Sequence, residues 1–318
     1  MTLYLSERCN SRCITCEYWR NGRADMTLES VAQLIPDLIA LGTQAVLLSG
    51  GEPLLNREWR EIAELLRGQG LTLWLLTSGL SLAKHARTAA ELFDRITVSL
   101  DGACPATYAA IRGVDAFDNV LAGIRAASAA GAAVTVRSTL QRGNFRELPD
   151  LIELARAAEA RQISFLAVDT ANPHAFARLD GPRPNVALTR EDLPPFVSVL
   201  ESVIKAHAAD FRSGFIAEPP AKLWRILEYF AAVCGLGAYP PVRCNAPEFS
   251  AVIDAQGSVQ PCFFITGPPG QKDGEGFESV LNGAPMRALR SEIAAGGRAE
   301  CRTCVCSLWR EPGQGILS

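Results

Sequence analysis

Strong charge, membrane-length apolar runs and a secretory start are all missing from this sequence. Its 31 Lys and Arg against 34 Asp and Glu leave a net charge of −3, and the basic residues form no stripe. Neither nucleic acid nor an anionic membrane surface is an expected partner. No apolar run nears the roughly 20 residues of a membrane-spanning helix. The opening MTLYLSERCN has no basic n-region or apolar h-region. The expectation is a soluble, cytoplasmic protein. Histidine is scarce too. His85, His174 and His207 stand outside any ligand spacing and are read as structural or solvent-facing. No repeat is found beyond a strand–helix unit.

Cysteine is the opposite case. Ten occur in 318 residues, and in a reducing compartment this points to metal binding or redox chemistry rather than disulfides. Cys9, Cys13 and Cys16 fall within eight residues, CNSRCITC. Cys244, Cys262, Cys301, Cys304 and Cys306 fall in the last quarter. Cys104 and Cys234 stand apart, as packing thiols commonly do. A hydrophobic content of 48% with 20% charged residues suits a globular chain with a sizeable core.

Six short apolar runs, TLYLS, AVLLS, LTLWLLT, RITVSL, AVTVRSTL and QISFLAV, alternate with amphipathic stretches near 27–41, 57–69, 81–92, 117–130 and 145–160. Short, nearly continuous apolar strands between helices predict a parallel α/β sheet. Thr27, Asn56 and Asn144 stand where N-caps belong, and Gly42, Gly70 and Gly131 follow helix ends. Right-handed crossovers curl such a sheet. The result is a partial barrel or an open doubly wound sheet, and periodicity does not separate them. In both, ligands sit at the carboxyl ends of the strands. Beyond residue 168 the pattern predicts a loop rich in Pro and turn formers, then helices near 190–209 and 220–233. A hairpin in FSAVIDAQGSVQPCFF, a Gly/Pro-rich loop at 267–276 and a helix near 284–295 follow. The expected organisation is a core at 1–168, connecting loop and helices at 169–240, and a cysteine-bearing domain at 241–318.

CNSRCITC directly follows the first strand and so lies at its carboxyl end. Three thiolates there can hold zinc or an iron–sulfur cluster. Structural zinc wants four protein ligands. A cubane needs one outside ligand per iron, so three thiolates leave one iron open to a substrate.

Cys-x3-Cys-x2-Cys at this position resembles the signature of the radical S-adenosylmethionine (SAM) enzymes. The resemblance implies a partial (β/α)6 TIM-like barrel with a small C-terminal iron–sulfur domain. It implies a [4Fe–4S] cluster held by Cys9, Cys13 and Cys16, whose open iron chelates SAM. It also implies reductive cleavage of SAM to a 5'-deoxyadenosyl radical, fed by an external electron donor such as flavodoxin or ferredoxin. The second strand ends in LLSGGEPLL. There Gly50, Gly51, Glu52 and Pro53 resemble the family's motif for the SAM amino group, the glycines permitting close backbone approach and Glu52 supplying an acceptor. Looser matches to SAM-binding positions are Ser78 on the third strand, Ser99 and Asp101 on the fourth, and Arg137 and Ser138 on the fifth. Thr15 departs from the pattern, since the family usually has an aromatic residue there. Tyr18 and Trp19 are the nearby substitutes.

The distal cysteines, a Cys…Gly-x4-Cys hairpin followed by Cys-x2-Cys, are similar to the SPASM/Twitch extensions of this family. Their number fits the shorter Twitch form, with one auxiliary [4Fe–4S] cluster on Cys244, Cys262, Cys301 and Cys304. Cys306 is either a replacement for Cys304 or a free thiol. A zinc ribbon is the other reading.

The reaction expected is hydrogen abstraction from a small biosynthetic substrate, leading to dehydrogenation or epimerisation. Crosslinking, cyclisation or epimerisation of a ribosomally made peptide is the alternative. A non-catalytic metal-binding or redox-sensing protein is the rival from another class. With the first strand at residue 2, no peptide-recognition domain is expected ahead of the core, which favours the small substrate. Cys306 or Cys234 is the candidate hydrogen donor for epimerisation, and Asp169 or Glu218 the candidate base for dehydrogenation.

Overall fold

The computed structural model describes residues 1–172, 175–178, 181–265 and 276–311. His174 and the expected loop at 267–276, apart from Gly276, lie outside the described residues.

The predicted strand–helix series is present. It runs β1 (Thr2–Ser6), α1 (Tyr18–Asn21), α2 (Leu28–Ala40), β2 (Ala45–Gly50), α3 (Trp59–Gly68), β3 (Thr72–Thr77), α4 (Leu82–Leu92) and β4 (Arg95–Ser99). It continues through α5 (Pro105–Arg112), α6 (Phe117–Ala129), β5 (Val134–Leu140), α7 (Leu148–Ala157) and β6 (Gln162–Ala167). The six strands are parallel and lie side by side in chain order. A doubly wound sheet reverses its order at a switch point. This one does not, so its crossovers keep turning one way and the sheet curls into a partial barrel.

Each strand has two unlike faces. Leu3, Leu5, Val46, Leu48, Leu73, Leu75, Ile96, Val98, Val134, Val136, Ile163 and Phe165 are buried in the core shared with the helices. Full burial of such a side chain is worth about 1.5–3 kcal/mol. The opposite, inner face carries polar groups. In register there are Thr97 beside Thr135, then Ser99, Arg137 and Ser164 in a row. Polar inner positions break the all-apolar strand pattern where a ligand would sit.

The local cues divide. Thr27 and Ser30 form a reciprocal capping box, each side chain accepting from the other's backbone N–H at 3.0 Å. Gly42, Gly70 and Gly131 take the left-handed conformation. Asn56 accepts from Glu58 N at 2.8 Å, but also donates to Leu5 O and Met26 O. Asn144 stands at the N-cap of the turn Phe145–Glu147 but makes no side-chain cap bond. Its amide donates to Asp101 O at 2.9 Å and Thr139 O at 3.0 Å, satisfying buried carbonyls at the strand ends. Strand–helix periodicity does not single out α5, although Pro105 opens it and Gly113 (φ 68°) closes it as start and stop residues should.

Next come α8 (Leu193–Ala206), α9 (Ala208–Ser213) and α10 (Pro220–Val233). Residues 215–217 cover the outer edge of β6, with Ile163 N donating to Phe215 O and Ala217 N to Ile163 O. After α11 (Ala246–Phe249), the expected hairpin forms as β7 (Val252–Ile253) and β8 (Val259–Gln260). It does more than form: β7 pairs in parallel with β1. The cysteine-bearing segment thus extends the core sheet beside the strand that leads into CNSRCITC. Helices α12 (Gly276–Asn282), α13 (Ala284–Ala294) and α14 (Ala299–Arg302) complete the described chain. Among the described residues no helix is long and apolar enough to cross a membrane.

Candidate active site

The loop after β1 is held from three sides. Gly51 N donates to Ser6 O at 2.7 Å and Glu52 N to Arg8 O at 2.8 Å. A Cβ on Gly51 would stand 2.4 Å from Arg8 O, and one on Gly50 (φ 115°) 2.4 Å from Ser6 O. The two glycines therefore admit the backbone of the cysteine loop itself. Sequence pattern suggested only a ligand. Ser78 Oγ, at the end of β3, donates to Asn10 Oδ1 at 2.9 Å. Arg12 N donates to Arg112 O and Ile14 N to Ile111 O, so the end of α5 grips the loop as well.

Cys9, Cys13 and Cys16 are half-buried and unbridged. Burial pushes Cys9 up to about 11, with Cys13 and Glu52 adding to the rise. Burial pushes Cys16 up to about 12, followed by the charges of Cys13 and Cys9. Burial raises Cys13 too, against the pull of Arg112. The three thiols thus neighbour one another and resist ionisation together, as ligands do before a cation replaces their protons. The described His, Cys, Asp and Glu side chains form no group of three poised around a single ion. A cubane does not require one, because its ligands attach to separate irons.

Arg112 is the residue that sequence reasoning missed. Burial alone would lower its guanidinium, but Cys13, Asp101 and Cys9 hold it well above the ordinary value. Its Nη1 donates to Asp101 Oδ2 at 3.1 Å, while its buried Nε has no partner among the described residues. Asp101 spends its other oxygen on Thr139 N at 2.7 Å. Each Asp101 oxygen thus accepts one hydrogen bond, and the carboxylate positions Arg112. The available signal was the spacing of Arg112 and Gly113 at a helix end.

Glu52 is fully buried. It accepts from Leu54 N at 3.1 Å, Thr77 Oγ1 at 2.8 Å and Ser78 N at 2.6 Å. A carboxylate has about four lone-pair sites, so one stays open to an ammonium group. Pro53 opens a 3-10 turn at Pro53–Leu55 that fixes the motif. Ser99 and Arg137 share the inner face. Ser138 falls on the opposite face with Val136, fully buried and with its Oγ unpartnered, so the structure does not bring it to the site.

Asp169 is corrected as a free base. It lies in a buried ion pair, Arg178 Nη1 donating to its Oδ1 at 2.9 Å, and Asn172 N donates to the same oxygen. Arg178 Nε donates to Thr15 O at 3.2 Å, so the pair braces the cysteine loop. Glu218 is likewise engaged, by Ser164 Oγ and Phe165 N, both at 2.8 Å. Trp19 donates from Nε1 to Cys16 O at 3.0 Å, and Tyr18 meets Tyr4 edge-on.

The distal cysteines converge. Cys244, Cys262, Cys301, Cys304 and Cys306 line one cavity of about 90 Å³, walled by Val242, Phe264, Ile265 and Leu308. Burial pushes Cys262 up to about 11, with Cys301 and Cys244 adding to it. Burial raises Cys304 further, followed by Cys306, Cys262 and Cys244. Cys262 accepts from Phe264 N and Cys304 from Cys306 N, both at 3.4 Å, as Cys9 does from Ser11 N at 3.5 Å. Backbone donors two residues downstream are thus shared by the two groups, and hydrogen bonds to sulfur tune cluster potentials. Cys306 is exposed to open space, yet its thiol is raised by burial against Arg137 and Lys222. Cys234 belongs to neither group: its thiol donates to Leu188 O at 3.3 Å. Cys104 lies beside Thr107.

Residues 3–155 match the family model of the Radical SAM superfamily. That match spans the first five strands of the sheet and the cysteine loop after β1. The chain is 36% identical over 168 residues to GTP 3',8-cyclase of Erythrobacter litoralis, covering 49% of this chain and 50% of that protein. It spans about half the length of the curated relatives it matches. Its fold resembles anSMEcpe with bound AdoMet and Kp18Cys peptide, with TM-score 0.68 and 16% identity over 96% of this chain and 85% of that one. It resembles Streptococcus suis SuiB bound to precursor peptide SuiA, with TM-score 0.66 and 12% identity over 96% of this chain and 71% of that one. At those identities the likeness is one of fold. It extends past residues 3–155 into the segment that bears the distal cysteines.

Proposed function

We propose that this chain is a radical SAM oxidoreductase or modifying enzyme acting on a small biosynthetic substrate. Cys9, Cys13 and Cys16 would hold the SAM-binding [4Fe–4S] cluster. Cys244, Cys262, Cys301 and Cys304 would hold one auxiliary cluster, in a Twitch-like segment. When bound, the first cluster and SAM supply a 5'-deoxyadenosyl radical that takes a hydrogen atom from the substrate.

The observation that carries this reading is the convergence of three thiols and Arg112 at the carboxyl ends of the strands of the radical SAM domain. The residues present fit the group. Arg112 offsets the negative charge that three thiolates bring into a buried site. Glu52 keeps an acceptor for the SAM ammonium. Ser78, Asn10 and α5 fix the loop so that the ligands are set before binding. The distal group has ligands enough to close a cluster, which suits electron transfer. The first has three, which leaves an iron for SAM.

Dehydrogenation and epimerisation are the reactions proposed. A nucleotide substrate is the second reading, favoured by relatives named GTP 3',8-cyclase. Peptide modification is supported by fold likeness alone. An external donor such as flavodoxin or ferredoxin would reduce the clusters, and ten unbridged thiols suit the reducing cytoplasm. The test is anaerobic reconstitution with iron and sulfide, then dithionite and SAM. Release of 5'-deoxyadenosine supports the reading. A chain that holds zinc stoichiometrically and releases none overturns it.

A further inference from the structure

Phe176 and Ala177 both take the left-handed conformation, with φ 61° and 55°. Two successive non-glycine residues there are costly, most of all for a bulky ring. Such strain persists only where the surroundings fix it. Here they do. Phe176 O accepts from Glu17 N at 3.0 Å, and Arg178 Nε donates to Thr15 O at 3.2 Å. Arg183 pairs with Glu17 from the same segment. The strained turn is therefore fastened to residues 15–17, on either side of Cys16.

Its ring lies where the two cysteine groups approach each other. Phe264, two residues after Cys262 and in the wall of the distal cavity, meets the Phe176 ring at 5.7 Å with planes at 88°. Asn172 Nδ2 donates to Phe264 O at 2.6 Å, tying the same two segments. The buried Arg178 guanidinium lies over the ring, 5.2 Å from its centroid. Held by these groups, Phe176 still leaves 36% of its surface open. Burial of the ring does not offset the strain, which leaves a ligand as the use of the exposed part. Neighbouring rings are engaged elsewhere: Trp19 donates to Cys16 O and Tyr18 packs on Tyr4.

We propose that Phe176 is a stacking platform for a purine base bound beside the first cysteine loop. Every base has a flat π face, and a ring already fixed by Phe264 and Arg178 presents a preformed surface to it. The base is the adenine of SAM or that of a nucleotide substrate, which share this chemistry. The inference rests on the functional reading above and adds to it the residue that holds the base.

The test measures equilibrium binding of SAM and of GTP to reconstituted holoenzyme. Methionine and inorganic triphosphate are the controls that lack a base. Phe176→Leu keeps apolar packing against Phe264 but has no π face. It is expected to weaken a purine ligand about tenfold or more, with the controls and the iron content unchanged. Phe176→Trp is expected to keep the affinity. Loss for SAM places adenine on the ring, and loss for GTP alone places the substrate's base there. Two results overturn the platform: Phe176→Leu binds both purine ligands as wild type does, or it weakens the controls as much as the purine ligands. A wild-type enzyme that releases no 5'-deoxyadenosine would sink the radical reading instead, and the binding comparison stands apart from it.

Discussion

The ring of Tyr4 stacks on that of Phe263, with centroids 6.1 Å apart and planes at 30°. Tyr4 lies on the strand that leads to Cys9, and Phe263 directly follows Cys262. The Tyr4 hydroxyl is held well above its usual range by burial first, then by Tyr18, Cys16 and Cys262. One side chain thus neighbours a thiol of each cysteine group. The two groups share a wall, built where β7 joins β1.

Removing that wall should loosen both groups. Tyr4→Ala is expected to cost about 3–5 kcal/mol, the usual range for losing a buried aromatic ring. Tyr4→Phe, which keeps the ring, is expected to cost far less. Denaturant unfolding of the reconstituted protein distinguishes the two.

Gly51→Ala is expected to cost about 1–3 kcal/mol, because the added methyl meets Arg8 O and the backbone must shift. The shift falls on the cysteine loop. Iron incorporation at the first group should drop while the auxiliary iron stays, as iron analysis and absorbance would report. Unchanged iron at the first group would contradict the coupling of glycine motif and loop.

Arg112→Gln leaves Asp101 buried without its cation. Breaking a buried pair from one side costs about 3–5 kcal/mol. Arg112→Lys should recover part of this. Thermal unfolding of the two variants checks the order.

The auxiliary ligands separate by iron count. Cys304→Ala is expected to lose one cluster, about four irons per chain. Cys306→Ala is expected to keep its iron, because Cys301 and Cys304 carry the chelate spacing that completes four ligands with Cys244 and Cys262. Equal loss from both variants would make Cys306 a ligand.

The strands, the helices and the triad's place at a strand end were legible because period and position leave local marks. Thr27 shows this for capping and Gly42 for a helix end. The roles of Asn144 and Asp101 were not legible, since each depends on which loop lies opposite once the sheet has curled. Arg112 was hidden for the same reason: α5 is short, and its cation matters only because Cys13 comes to lie against it. The pairing of β7 with β1 joins segments some 250 residues apart, which no window of sequence reports. Asp169 showed its charge in the sequence but not its partner, Arg178, so a brace looked like a base.

The most direct measurement is the yield of 5'-deoxyadenosine from the anaerobically reduced, reconstituted chain with SAM. Wild type is predicted to release it. Cys13→Ala is predicted to release none while keeping about four auxiliary irons. Release by Cys13→Ala at the wild-type yield, or a wild-type chain that carries zinc and releases none, would contradict a SAM-cleaving cluster at Cys9, Cys13 and Cys16.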